Sequence, residues 1–365
     1  MKLVVFGLSV SSSWGNGHAT LWRGLCAALG RMGHRVVFFE RDVPYYSAHR
    51  DLWELPGGGE LILYPDWDQT RRSASRQLED TDVAMVTSYC PDAIAATDLI
   101  LESRASMRVF YDLDAPVTLA RLRSGEAVDY IGPRGLRDFD LVLSYTGGRA
   151  LDLLKEQLGA ARVAPLYGHV DPEVHQPTTP EERYRADLSY LGTYGADRAA
   201  VLRELFAEPA RRLPDRRFVI GGSMYDGSFA WQSNIFFVSH VPVKDHPAFY
   251  SSGRMTLNAT RTAMAELGYC PSARLFEAAA CATPILSDSW EGLDQFFEPD
   301  LEILIARSAD EAMAAMDRSD AELSRMAAAA RERTLAQHTS DVRAREMEAI
   351  LTASAWAGAE TAGVT

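Results

Sequence analysis

The sequence is poor in cysteine, in long apolar runs and in positive charge. Four cysteines among 365 residues, Cys26, Cys90, Cys270 and Cys281, show neither Cys-x-x-Cys nor any other metal-ligand spacing. They read as buried, reduced thiols rather than a disulfide framework or a metal cluster. No apolar stretch reaches the ~18 residues of a membrane span. The opening MKLVVFGLSV runs into SSSWGNGH where a small-residue cleavage site should lie, so it reads as a buried first strand and not a leader. A cytoplasmic chain without an integral membrane segment is expected. Against 37 basic residues stand 50 acidic ones, a net charge of −13. Such a surface repels polyanions, which disfavours nucleic acid as a partner but leaves room for a small phosphorylated ligand in a locally positive pocket. There is no G-x-G-x-x-G with an acidic residue at the ribose-reading distance, which argues against a nicotinamide site.

What is present is alternation. Short β-branched runs at Lys2–Leu8, Arg35–Glu40, Leu61–Tyr64, Val83–Thr87, Met107–Tyr111, Asp140–Tyr145 and Arg162–Leu166 are separated by amphipathic stretches. In the first of these, Leu21, Leu25, Ala28, Leu29 and Met32 recur at helical spacing, and Gly33 follows as a stop. A second series has strands at Leu188–Leu191, Phe218–Gly221, Ile235–Val238, Met255–Asn258, Pro284–Ser287 and Glu302–Ile305. Helices follow at Ala309–Met316, Ala321–Gln337 and Asp341–Ala353. Pro172, Pro177 and Pro180 break the pattern between the two series. The expected fold is α/β: two doubly wound Rossmann-like domains facing across a cleft, at 1–170 and 187–340, with a linker at 171–186. A C-terminal helix and frayed tail occupy 341–365. In such sheets ligands bind beyond the carboxyl ends of the strands.

Three loops fall at those ends in the first series. Trp14-Gly15-Asn16-Gly17-His18 joins strand to helix, and its glycines allow a tight turn and close approach of backbone to an anion. An ordinary capped strand–helix turn is the plainer reading. Asp112-Leu113-Asp114 suits a divalent ion on a diphosphate, hydrogen bonds to a sugar or acceptor, or a common loop after a parallel strand. Gly147-Gly148 starts another helix at the same edge. In the second series, Asn258 and Arg261 end a strand, and Ser272 is a good N-cap for a short helix carrying Arg274 and Glu277. The first amides of that helix and the guanidinium would suit a diphosphate, and Glu277 a ribose diol. Alternatively Arg274 and Glu277 are a helix-surface pair.

The segment CPSARLFEAAACATPILSDSWEGLDQFF resembles the donor-binding region of retaining GT-B glycosyltransferases, closest to the spore-maturation-protein-B-like branch. FGLSVSSSWGNGHATLWRGL, FYDLDAPVTL and LYGHVDPEVHQP are similar to other parts of that branch. The resemblance covers nearly the whole chain. It implies transfer of a sugar from a nucleoside-diphosphate sugar, with retention, to a small-molecule, lipid-linked or glycan acceptor. No metal and no cofactor beyond the co-substrate are implied. Glu277 matches the second glutamate of the family's E-x7-E motif, whose first position here holds Tyr269, and Ala282 stands where the family usually has Gly. Glu291, Gly292 and Leu293 match the loop closing over the donor, and Tyr194 and Arg198 the basic approach to the diphosphate. Gly15, Asn16 and Gly17 would meet the same phosphates. His18 and Asp114 are the candidates for catalytic sugar or acceptor contacts, with Trp14, Asp112, Gly147 and Gly148 on the acceptor side. A nucleotide-sugar epimerase and a sugar-nucleotide-binding protein without turnover are the alternatives. Neither donor base nor oligomeric state is legible in these residues.

Overall fold

The structure is a computed structural model that describes residues 1–362, with side chains to residue 354. It separates into two units, one of residues 1–167 with the C-terminal segment from Ser340, the other Gly168–Thr339.

The first unit is built on strands β1 (Lys2–Gly7), β2 (Arg35–Arg41), β3 (Glu60–Tyr64), β4 (Val83–Thr87), β5 (Met107–Asp112), β6 (Leu141–Ser144) and β7 (Val163–Pro165). They form one sheet in the order β3-β2-β1-β4-β5-β6-β7, parallel throughout. Parallel strands are covered on both faces, which is why VVF and VVFF appear as unbroken apolar runs; Val4, Val5, Phe6, Val37, Phe38 and Phe39 are all fully buried. Helices α1 (Gly17–Arg31), α2 (Pro44–Ser47), α3 (Trp67–Leu78), α4 (Ala93–Glu102), α5 (Ala115–Arg123) and α6 (Arg149–Leu158) make the connections. Gly33, at φ +81°, takes the left-handed turn that releases α1 into β2.

The second unit repeats the plan with β8 (Leu188–Leu191), β9 (Phe218–Gly222), β10 (Ile235–Ser239), β11 (Thr256–Asn258), β12 (Ile285–Ser287) and β13 (Leu304–Ile305). Their order is β10-β9-β8-β11-β12-β13. Its helices are α7 (Ala199–Leu202), α8 (Glu208–Arg212), α9 (His246–Ser252), α10 (Thr262–Leu267), α11 (Ala273–Ala280), α12 (Ala309–Met316) and α13 (Asp320–Gln337). In each sheet the chain reverses its winding direction once, beside β1 and beside β8. The carboxyl ends of β1 and β4, and of β8 and β11, are therefore where each fold leaves a crevice.

Three stretches depart from the sequence expectation. The last strand shortens to two residues because Glu302 turns back on Glu298, its amide bonding the Glu298 carbonyl at 2.8 Å and its carboxylate the Glu298 amide at 2.7 Å. The proline-rich segment 171–186 packs within the second unit: the Thr178 and Glu181 amides bond the hydroxyls of Ser251 and Ser252 at 3.1 and 2.8 Å, and Tyr184 is buried edge-on against Phe249. The C-terminal helix α14 (Ser340–Ala362) continues through most of the stretch expected to fray; residues 363–365 lie outside the described ones. It belongs to the first unit, burying Ala344, Met347 and Leu351 at helical spacing and lying against α1. Arg31 meets Asp341 at 2.7 Å, and His34 meets Glu348 at 3.1 Å. No helix among the described residues is long and apolar enough to cross a membrane.

Candidate functional site

In the first unit the loop after β1 is held from below by a residue the sequence reading missed. Glu40, fully buried near the end of β2, accepts hydrogen bonds from the Ser9 hydroxyl at 2.9 Å, the Val10 amide at 2.7 Å, the Ser11 amide at 2.9 Å and the Ser11 hydroxyl at 2.5 Å. Dinucleotide-binding sheets use a carboxylate in this place to read a ribose. Here it is spent on shaping the loop. The available signal was an acidic residue closing the apolar run VVFFE.

The loop then turns at Gly15, φ +59°. Asn16 caps α1: its side chain accepts from the His18 amide at 3.1 Å and donates to the carbonyls of Ser9 and Ser12 at 2.9 and 3.2 Å. Its amide group is thus committed to the protein itself, whereas Gly17 borders open space. Trp14 stacks on the His49 ring at 4.0 Å between centroids. His18 comes to Asp114, Nε2 to Oδ2 3.5 Å, so the structure joins the two residues singled out as catalytic candidates. Asp112 lies beneath them with no exposed surface. Its Oδ1 accepts the Asp114 amide at 3.0 Å, and its Oδ2 has no hydrogen-bond partner. Burial pushes its pKa up to about 6, against the pull of the Asp114 amide. Gly147 and Gly148 follow β6, the neighbour of β5. A Cβ at Gly147 would lie 2.0 Å from the Tyr167 hydroxyl, and Gly148, at φ +55°, is the N-cap of α6.

The second unit gathers its candidates around the ends of β8 and β11. Ser272 caps α11 by accepting the Arg274 amide at 3.4 Å. Ala278, Ala279 and Ala280 are fully buried, which lets the helix sit close on β11 and β12. Arg274 reaches from its first turn to the strand ends. Its Nε donates to the Leu191 carbonyl at 2.5 Å and its Nη1 to Asn258 Oδ1 at 3.1 Å, and the guanidinium stands 5.0 Å from the centre of the Tyr190 ring. Asn258 completes its bonding through Ser287 and Thr260 at 2.9 and 3.3 Å. Arg198 donates to the Tyr190 hydroxyl at 3.3 Å, and Arg261 is paired with Asp197. Three guanidiniums therefore cluster at one strand end, tied by Tyr190 and Asp197. Tyr194 packs with Tyr225 and Phe229, at 5.2 and 5.7 Å between ring centres.

Glu277 is not the surface partner of Arg274 that its spacing allowed. It is buried, and the Tyr250 hydroxyl donates to its Oε2 at 3.1 Å. Burial alone would raise its carboxyl. The imidazoles of His175 and His246, the Tyr250 hydroxyl and Arg274 outweigh that and hold it below the usual carboxylate range. A helix N-terminus with an arginine in its first turn and an ionised carboxylate one turn on offers an anion site beside a diol acceptor. Tyr269, at the position of the absent glutamate, has φ +47° and its amide donates to the Glu291 carbonyl at 2.7 Å. A Cβ on Gly292 would come 2.5 Å from its ring, so Tyr269 bears directly on the Glu291–Leu293 loop, where Leu293 is buried and Glu291 exposed. Ala282 sits at φ +54°, a left-handed position that explains why glycine would be the easier residue there.

Residues 198–349 match the model of a family described as Glycosyl transferase-like. No curated protein sequence matches at a significant level. Among solved structures, sucrose-phosphate synthase from Thermosynechococcus elongatus is similar over 96% of this chain and 98% of its own, with 14% identity and a TM-score of 0.71. Anabaena HepE, in complex with UDP and glucose, is similar over 96% and 99%, with 13% identity and a TM-score of 0.68. An alpha-glucosyltransferase in complex with UDP and DNA is similar over 96% and 99%, with 11% identity and a TM-score of 0.67. At these identities the likeness establishes the fold, which is GT-B, and the stretch that matches the family model falls largely in the second unit.

Proposed function

We propose, on the premise of a GT-B glycosyltransferase, that this enzyme takes its sugar from a nucleoside-diphosphate donor held at the start of α11, and that transfer proceeds with retention and without a metal at the diphosphate. The observation that carries this reading is the placement of Ser272, Arg274 and Glu277 at the crevice beside β8 and β11. Arg274, Arg198 and Arg261 would supply the positive charge for the departing diphosphate, already oriented by protein contacts, so little reorganisation is needed as charge builds. Glu277 would accept the ribose hydroxyls. With retention, the acceptor attacks on the face the diphosphate leaves, and a phosphate oxygen takes the acceptor's proton. That route needs no dedicated base. His18 and Asp114 would contact sugar or acceptor. UDP is the first nucleotide to test, because HepE and the alpha-glucosyltransferase each carry it.

The experiment is calorimetric titration of the full chain with UDP, GDP, TDP and ADP, repeated with Glu277→Ala and Arg274→Ala. One nucleoside diphosphate binds the parent protein, and each variant binds it at least about tenfold more weakly while keeping the parental circular dichroism. Equal affinity in both variants refutes the site. Nucleotide binding without transfer or donor hydrolysis across a sugar panel refutes turnover and favours a binding protein, the outcome that Tyr269 in place of glutamate would explain. Appearance of an epimer without acceptor favours epimerisation.

A further inference from the structure

Within the second unit, three potential ligands arrive from segments remote in sequence. His175 comes from the proline-rich stretch, His246 opens α9, and Glu277 lies on α11. Nε2 of His175 is 3.4 Å from Nδ1 of His246, and that nitrogen is 4.0 Å from Oε2 of Glu277. The three donor atoms lie within 4.8 Å of one another. His175 and Glu277 are 1% and 8% exposed.

Packing alone leaves this cluster poorly satisfied. The contact between the two imidazoles is at the outer limit of a hydrogen bond, and Nδ1 of His175 is buried with no partner. The second ring is also oriented: His246 Nε2 lies 3.2 Å from the Val241 carbonyl, which fixes the proton on that nitrogen and turns the Nδ1 lone pair toward the cluster. A backbone carbonyl on the far nitrogen is the usual support of a metal-bound histidine. Burial lowers the pKa of both rings, against the opposing pull of the Glu277 carboxylate. Tyr250 holds the carboxylate oxygen that faces the rings.

We propose that His175, His246 and Glu277 form a binding site for a zinc-like divalent cation. Two imidazoles and one carboxylate suit Zn²⁺ or Co²⁺ rather than the all-oxygen sets of Mg²⁺ and Ca²⁺. Bonds of about 2.0–2.1 Å in a tetrahedron separate neighbouring ligands by about 3.3 Å. The imidazoles are already at about that distance, and with all three donor atoms within 4.8 Å of one another the carboxylate has at most about 1.5 Å to close. A fourth position remains for water or a ligand oxygen. A consequence rests on the donor reading given above: Glu277 would serve both the cation and the ribose, so the two compete, and the cation acts as an inhibitor of donor binding.

The test uses the full chain after treatment with a chelator. Titration with Co²⁺ gives a saturable visible absorption at one ion per chain, removed by Zn²⁺, and His175→Gln and His246→Gln each weaken Co²⁺ binding about tenfold or more. X-ray absorption at the zinc edge of the unmutated protein counts two imidazoles and no sulfur, a readout independent of how the variants fold. Absence of saturable absorption, Co²⁺ binding unchanged in both variants, or a different imidazole count overturns the site. In the unmutated protein Zn²⁺ weakens UDP binding about tenfold or more; UDP affinity indifferent to Zn²⁺ overturns the competition. If UDP fails to bind with or without Zn²⁺, the donor reading fails, while the Co²⁺ and absorption-edge results still decide the cation site.

Discussion

Asp112→Asn separates stability from pH in a way the structure fixes in sign and size. Asp112 is a carboxylic acid with no exposed surface, one oxygen bonded to the Asp114 amide and the other without a partner. Its pKa is about 6 in the fold against about 3.9 unfolded. The folded chain therefore holds a proton that the unfolded chain has released across the window between those values. Stability is present in full below the lower pKa and falls as pH rises through the folded value. Two pKa units correspond to about 3 kcal/mol, of which about 2 kcal/mol falls between about pH 4.5 and pH 7.5. Asparagine does not titrate, so the difference in stability between variant and parent should move in favour of the variant by about 2 kcal/mol over that interval. Any cost of placing the Asn amide nitrogen is the same at both ends and cancels. The assay is urea denaturation of both proteins at the two pH values, followed in the transition that reports the first unit. A difference that is flat with pH, or that moves toward the parent, would falsify the account of Asp112 as a buried acid.

Two further substitutions probe the loops. Glu40→Ala removes the acceptor of four hydrogen bonds from Ser9, Val10 and Ser11; a loss of about 3 kcal/mol or more and faster hydrogen exchange at the Val10 and Ser11 amides are expected, with Glu40→Gln intermediate, and unchanged exchange would sink the idea that this carboxylate shapes the loop. Gly222→Ala sets a Cβ 2.1 Å from the Gly192 carbonyl at φ +149°, a backbone collision worth about 2 kcal/mol or more in denaturation; a variant as stable as the parent would show that the β8 and β9 ends can shift apart.

The strands were legible because parallel sheets buried on both faces demand continuous apolar runs. Val83–Thr87 and Leu188–Leu191 begin and end where the sequence placed them. The cap at Ser272 was legible for a similar reason, since a hydroxyl before a helical run answers a local need. Other features depend on distance in the sequence. Whether Glu277 faces solvent or Tyr250 is decided by how α9 packs, and spacing along α11 carries no word of that. The role of Glu40 depends on a loop formed some thirty residues earlier. His175, His246 and Glu277 are separated by 71 and 31 residues, too far for any motif. The docking of α14 on α1 was equally hidden, because an amphipathic helix announces an apolar face but not its partner.

The return of α14 to the first unit reverses the order in which the two units can mature during synthesis. Everything from Gly168 to Thr339 is synthesised before the residues that cover α1. The unit that starts first is thus finished last, with Leu351 and its neighbours closing a surface left waiting while its successor folds.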